Sequence, residues 1–247
     1  MIETIREGSR LDVVLNNPLR LNAMTEEDWR DLAQVGRGLP EDVRVVVLRA
    51  EGRSFSAGLD KKVFAGEANP DFRSLVEGSD GQIRAAIAGF QQAFTWWREC
   101  HAITIAAVQG DAVGAGFQLA LACDLRIVAD DVRFSLRETT LGLVPDLAGT
   151  KPLVELVGYA KALEIALTGC QIESDEAIRI GLVNKVVPVA ELRASVDSLA
   201  MRLLALPDAA ARATKRLVIG AVTRSFDEQQ LAERSEQAHL LRNLAGR

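Results

Sequence analysis

Cysteine is scarce: the 247 residues hold three, Cys100, Cys123 and Cys170. They form no C-x-x-C pair and have no metal-ligand spacing, so the sequence offers neither a disulfide framework nor a thiolate metal site. All three lie in apolar surroundings and read as reduced core thiols of a cytoplasmic protein. Histidine is scarcer still, at two. His101 precedes an apolar strand and His239 sits in a terminal helical stretch, neither within a motif, which leaves carboxylates as the better proton carriers. No run approaches the ~18 apolar residues of a membrane span, and the opening Met1-Ile-Glu-Thr-Ile-Arg6 is no signal peptide. Basic charge is not in excess. The 29 Lys and Arg against 34 Asp and Glu give a net charge of −5, which argues against general nucleic-acid binding and leaves room for a local basic patch. No repeat, linker or low-complexity tract breaks the chain.

What is present is a chain long enough to bury a substantial core, in which apolar strands alternate with helical periods, the pattern of an α/β fold. A strand, a turn at Asn16-Asn-Pro18, a helix from about Thr25 and a strand at Val43–Arg49 occupy the first 65 residues. Thr25 with Asp28 three residues on forms an approximate capping box. Residues 65–81 read as a loop. An amphipathic helix spans 82–100, with Ile83, Ile87, Phe90, Phe94 and Trp97 at helical spacing. Strands follow at 104–108, 125–128 and 183–187, and helices at 117–123, 152–167 and 174–181, with Gly181 as a stop. From Glu191 onward the pattern is helical, interrupted at Pro207.

Two turns stand out. Gln109–Gly116 leads from an apolar strand into a helix through Gly110, Gly114 and Gly116, residues that let the backbone bend and approach a ligand closely. The N–H groups at the following helix start point into the turn, where the helix dipole favours negative charge. Its G-x-x-x-G-x-G spacing is not the G-x-G-x-x-G of a dinucleotide loop. Gly52-Arg-Ser-Phe-Ser-Ala-Gly-Leu-Asp-Lys-Lys62 likewise leaves a strand and turns at Ala57-Gly58. Two backbone donors from two strand ends can grip one oxygen, which stabilises an enolate or similar anion without a catalytic side chain.

With these segments, and with Leu15–Ala23, Glu138–Thr150 and Thr168–Asn184, the chain resembles the crotonase superfamily, the enoyl-CoA hydratase/isomerase family, over nearly its whole length. The resemblance implies a spiral of ββα turns over residues 1–190. It also implies a helical region over 191–247 that packs trimers, often paired into hexamers. It places the oxyanion-hole N–H groups at Leu59 and Ala115, around the thioester oxygen of an acyl-CoA. CoA is then part of the substrate, and no separate cofactor or metal is expected. Family hydratases use two glutamates. The first falls on Gln118, which can orient a water but cannot take its proton at neutral pH; the second falls on Glu138. Asp146 stands where dienoyl-CoA isomerases of the superfamily carry a carboxylate, although those enzymes also keep an acid at the Gln118 position. Other readings stand beside these: Glu138 as a helix-cap or surface carboxylate, Asp146 as a turn-stabilising residue after Pro145.

For the CoA moiety, the resemblance points to Arg20, Leu21, Ala57, Gly58, Asp60, Lys62 and Gly114. Leu19 replaces the lysine many members carry, Lys61-Lys62 also reads as a solvated pair, and Asn243–Arg247 lacks the family's closing Phe-x-x-Lys-Arg segment. The expectation is an acyl-CoA enzyme, with double-bond isomerisation by Glu138 and Asp146 slightly favoured. Its alternatives are hydration of a trans-2-enoyl-CoA, other crotonase chemistry such as thioester hydrolysis, and acyl-CoA binding without catalysis.

Overall fold

The computed structural model describes residues 1–60 and 77–245. Lys61, Lys62 and most of the loop expected at 65–81 lie outside the described residues. Six strands form the main sheet: β1 (Ile2–Glu7), β2 (Arg10–Leu15), β3 (Val45–Ala50), β4 (Ile103–Val108), β6 (Leu125–Ala129) and β9 (Lys185–Val187). Their spatial order is β1-β2-β3-β4-β6-β9. Only the β1–β2 pair is antiparallel; the others run parallel. The single N-terminal strand expected from sequence is therefore two, folded back at Gly8, whose φ of 58° is a left-handed turn conformation. A smaller sheet, in the order β5-β7-β8, comprises β5 (Asp111–Val113), β7 (Arg133–Ser135) and β8 (Ile172–Glu173).

Both faces of the main sheet are covered, as parallel strands require. Val46 and Leu48 of β3 with Ala106 and Val108 of β4 face the larger core. There they meet α1 (Glu26–Arg37), α2 (Asp80–Glu99) and α3 (Ala115–Ala122). The alternate residues Val45, Val47, Ile105 and Ala107 face the opposite core with Val196 and Ala200 of α7 (Leu192–Leu204). Thr25 caps α1 in a full capping box with Asp28, and Ser79 caps α2 in the same way with Gln82. Trp29 of α1 packs on Phe90 and Phe94 of α2 at centroid distances of 5.2 and 5.8 Å.

Two helical stretches differ from the sequence reading. The expected 152–167 helix is two, α4 (Thr150–Val157) and α5 (Tyr159–Thr168), because Gly158 at φ 77°, ψ 165° leaves helical space. After α6 (Ser174–Arg179), Gly181 turns at φ 77° as expected. Beyond α7, the chain breaks at Pro207 and again near Ser225, giving α8 (Asp208–Ala221) and α9 (Phe226–Ala245). Ser225 caps α9 by accepting from the Glu228 N–H, while the Glu228 carboxylate accepts from Ser225.

Candidate active site

β3 and β4 are adjacent and parallel, so the turns that follow them leave the same end of the sheet side by side. The two turns are stitched together by backbone. The Phe55 N–H donates to the Gln109 carbonyl, Ser56 N–H to Asp111, and Val113 N–H back to Ser56, at 2.8–2.9 Å. Such close approach demands missing side chains. A Cβ on Gly110 would lie 2.0 Å from the Arg53 oxygen, one on Gly116 2.7 Å from the Ser56 Cβ, and one on Gly58 2.6 Å from the Val113 oxygen.

The first turn is shaped by Asn22, which the sequence reading passed over. Fully buried, it donates to the carbonyls of Glu51 and Ser54 and accepts from the Asn17 N–H. Its own carbonyl receives the Ser56 hydroxyl, which in turn accepts from the Gly58 N–H. Leu21 and Asn22 both take left-handed φ values near 50°. A signal was present, since Asn tolerates that region better than other non-glycine residues.

Leu59 bridges Met24 in parallel fashion: Met24 N–H donates to the Gly58 carbonyl and Asp60 N–H to the Met24 carbonyl. The alternation of a strand then points the Leu59 N–H the other way, and it takes no partner among the described residues. On the second turn Gly114, at φ 51°, precedes Ala115, the first residue of α3. The earliest helical bond is Gln118 N–H to Gly114, so the Ala115 N–H is one of the unpaired donors of a helix start among the described residues. A Cβ on Gly58 would lie 3.6 Å from the Ala115 nitrogen, which places the two candidate donors beside one another.

β7 pairs in parallel with β5, and the Gly114 N–H donates to the Ser135 carbonyl at 2.8 Å. That pairing delivers Glu138, three residues on, to the mouth of the second turn. A Cβ on Gly114 would meet the Glu138 Oε1 at 3.2 Å. Oε1 accepts from the Gln118 amide nitrogen at 2.8 Å, while Oε2 is buried without a hydrogen-bond partner among the described residues. Burial raises the carboxyl pKa above its ordinary value; the Asp146 charge adds to this, and the Gln118 amide and nearby backbone N–H groups of Glu138 and Arg137 oppose it.

Gln118 is 1% exposed, on a helix buried along its whole length. Its carbonyl oxygen accepts from the Leu147 and Gly149 N–H groups at 3.0 and 3.3 Å. Those two donors fix which end of the amide is oxygen, and its nitrogen is left for Glu138. The bonded N–H pair flanks Ala148, a non-glycine residue at φ 64°, a conformation costing about 1–3 kcal/mol. Asp146 begins this turn. Its half-buried carboxyl is raised by desolvation and steadied by its own backbone N–H, and its carbonyl oxygen accepts from the Gln91 amide of α2 at 2.6 Å. Exposed Leu141, Leu143 and Val144 line the chain between the two carboxylates.

The structure thus brings together Leu59, Ala115, Gly114, Gln118, Glu138 and the turn of Asp146. Other candidates are held by protein groups or lie elsewhere. Arg20 pairs with Asp60 at 2.5 Å, so its guanidinium is held by protein. Ala57 and Leu21 meet through backbone, N–H to carbonyl. His101 bonds the Val43 carbonyl, and His239 lines a charged groove with Arg44, Arg212 and Arg216. Burial pushes the Cys123 thiol well above its usual range, which leaves it inert. No metal-ligating cluster of three or more side chains occurs among the described residues.

Residues 6–244 match the model of the family described as enoyl-CoA hydratase/isomerase. The chain belongs to this family. A peroxisomal Δ(3,5)-Δ(2,4)-dienoyl-CoA isomerase of Arabidopsis thaliana is 33% identical over 191 residues, 75% of this chain and 69% of that protein. A short-chain-enoyl-CoA hydratase of Clostridium acetobutylicum is 33% identical over 216 residues, 86% and 78% of the two chains. A Thermobifida fusca YX chain solved in complex with CoA is 43% identical, with a TM-score of 0.91 over 100% of this chain and 95% of that one. Similarity to both an isomerase and a hydratase fixes the family and leaves the choice of reaction to the site.

Proposed function

We propose that the chain is an acyl-CoA isomerase that moves a double bond through an enolate, with CoA carried by the substrate and no separate cofactor. The observation that supports this reading is the engaged oxygen of Gln118: it is spent on two backbone N–H groups, while one amide N–H donates to Glu138. It has no lone pair left for a water proton and, as an amide, no basicity to take one. One buried carboxylate with a bare Oε2 remains, which suits removal and return of a carbon-bound proton.

In this reading the thioester oxygen sits between the Leu59 and Ala115 N–H groups. Glu138 Oε2 removes an α- or γ-proton, and the electron pair delocalises onto the thioester oxygen as an enolate. Glu138 or Asp146 then returns a proton at the other end of the conjugated system, so the product has the mass of the substrate. Two amide donors at a developing oxyanion are worth roughly 3–4 kcal/mol each. Leu141, Leu143 and Val144 offer apolar surface to the acyl chain. Ala57, Gly58 and Asp60 with Arg20 and Leu21 shape the CoA-side turn, with Lys62 beyond the described residues. Hydration of a trans-2-enoyl-CoA is the second reading, favoured by similarity to the Clostridium hydratase; with Glu138 alone it would be slow.

Self-association belongs to the same proposal. Phe226, Leu231, Leu241 and Leu244 of α9 are more than half exposed, and further copies of the chain covering them in each protomer would make a trimer or hexamer. Sedimentation of the full chain as a monomer would refute that part.

The test offers the purified protein trans-2-, cis-3- and trans-3-enoyl-CoA and 3,5-dienoyl-CoA. Double-bond migration that disappears in Glu138→Ala is the expected outcome. Inactivity toward all four, with CoA bound, would move the reading to thioester hydrolysis or to a binding protein.

A further inference from the structure

The peptide unit joining Asp146 to Leu147 is gripped at both ends by side-chain amides. Gln91 of α2 donates to its oxygen at 2.6 Å, and Gln118 of α3 accepts from its nitrogen at 3.0 Å. A peptide group is planar. Fixing its two poles restrains rotation of this plane, and so ψ of Asp146 and φ of Leu147, on which the direction of the Asp146 side chain depends. The grip has work to oppose, because Ala148 next in line is held at φ 64°, from which an L-residue tends to relax. Gln91 is itself well anchored. It follows Phe90, which packs on Trp29, and Phe94 one turn later packs on the same ring.

We infer that Gln91 is a positioning residue for the Asp146 carboxylate, holding the 146–147 peptide from the oxygen side while Gln118 holds it from the nitrogen side and bonds Glu138. The two carboxylates are then registered to each other through two glutamines on two helices. This rests on the reading of Asp146 as a proton carrier, although the grip itself stands on geometry alone.

The test uses Gln91→Met, which keeps length and helix preference and removes the donor, and Gln91→Lys, which restores one. With cis-3-enoyl-CoA and 3,5-dienoyl-CoA as substrates, Gln91→Met should lower kcat by about tenfold to a hundredfold with KM nearly unchanged. Gln91→Lys should recover most of the loss. Asp146→Asn should lower kcat, and adding Gln91→Met to it should cost little more, since both changes act through one group. If Asp146→Asn is silent, the reading of Asp146 fails. If Asp146→Asn is damaging but Gln91→Met is silent, or the two losses multiply in full, the inference fails. Hydrogen exchange reads the grip without turnover: Gln91→Met should speed exchange of the Leu147 and Gly149 amides while α3 stays protected. Unchanged exchange there would overturn the positioning role, whatever the substrate.

Discussion

Glu138 keeps one carboxylate oxygen bonded and the other bare in a buried setting, and both its chemistry and its cost follow from that. Its pKa lies above the ordinary 4.5, so the basic form accumulates later than for a free glutamate, and kcat/KM should rise with pH through that raised value. The same shift sets a stability window. The folded state binds this proton more tightly than the unfolded chain does. Stability from this group is therefore full below about pH 4.5 and declines as pH climbs through the raised pKa. Glu138→Gln can still accept from Gln118 and removes the buried charge. It should melt higher than the parent at pH 7, show no such gain near pH 4, and lose roughly 10²–10⁴-fold in turnover. A melting temperature at pH 7 equal to or below the parent's would contradict the account of Oε2. Gln118 shows the limit of reading residues alone. The resemblance marks its position as one where family hydratases carry an acid, but the N–H pair at Leu147 and Gly149 that occupies its oxygen arises from a backbone turn 29 residues away.

At the scale of elements, the site is a property of two strand ends and one helix start. Both turns were readable from sequence, because a glycine between an apolar strand and a helix is a strong local signal. Their stitching was not, since β5 is three residues long and pairs with segments far off in the chain. The α2 cap at Ser79 and the break at Gly158 were missed for a related reason: short polar and glycine signals are overridden by longer apolar periods. Gly58→Ala probes the turns directly. Its Cβ would meet the Val113 oxygen at 2.6 Å from a backbone at φ 87°, pushing the Leu59 N–H away from Ala115. The expected result is a loss in kcat/KM of at least 10²-fold in a protein that still unfolds cooperatively. Full activity in Gly58→Ala would mean that these two N–H groups do not share one oxygen.

Across the whole molecule, the helices after β9 are tied to the site's scaffold by a largely buried ion pair. Lys215 of α8, 8% exposed, donates to Asp124 at 2.8 Å and to the Ala102 carbonyl at 2.7 Å. Asp124 also accepts from the Thr104 N–H and hydroxyl at the start of β4. Removing one member of a buried pair costs about 3–5 kcal/mol, an upper value here because Asp124 is partly exposed and keeps its Thr104 bonds. Lys215→Met should lower stability by up to that amount, read by chemical denaturation, and the double variant with Asp124→Asn should recover part of it. Equal stability of parent and Lys215→Met would show that α8 is not held through this pair. No helix among the described residues is long and apolar enough to cross a membrane, in keeping with the absence of a long apolar run in the sequence. The central claim, that the chain moves a double bond and does not add water, is tested most directly by turnover of trans-2- and cis-3-enoyl-CoA in ¹⁸O-water with mass analysis of the products. The account predicts isomers of unchanged mass, lost in Glu138→Ala. Incorporation of ¹⁸O at C3 would contradict it and make Gln118 a competent partner in hydration.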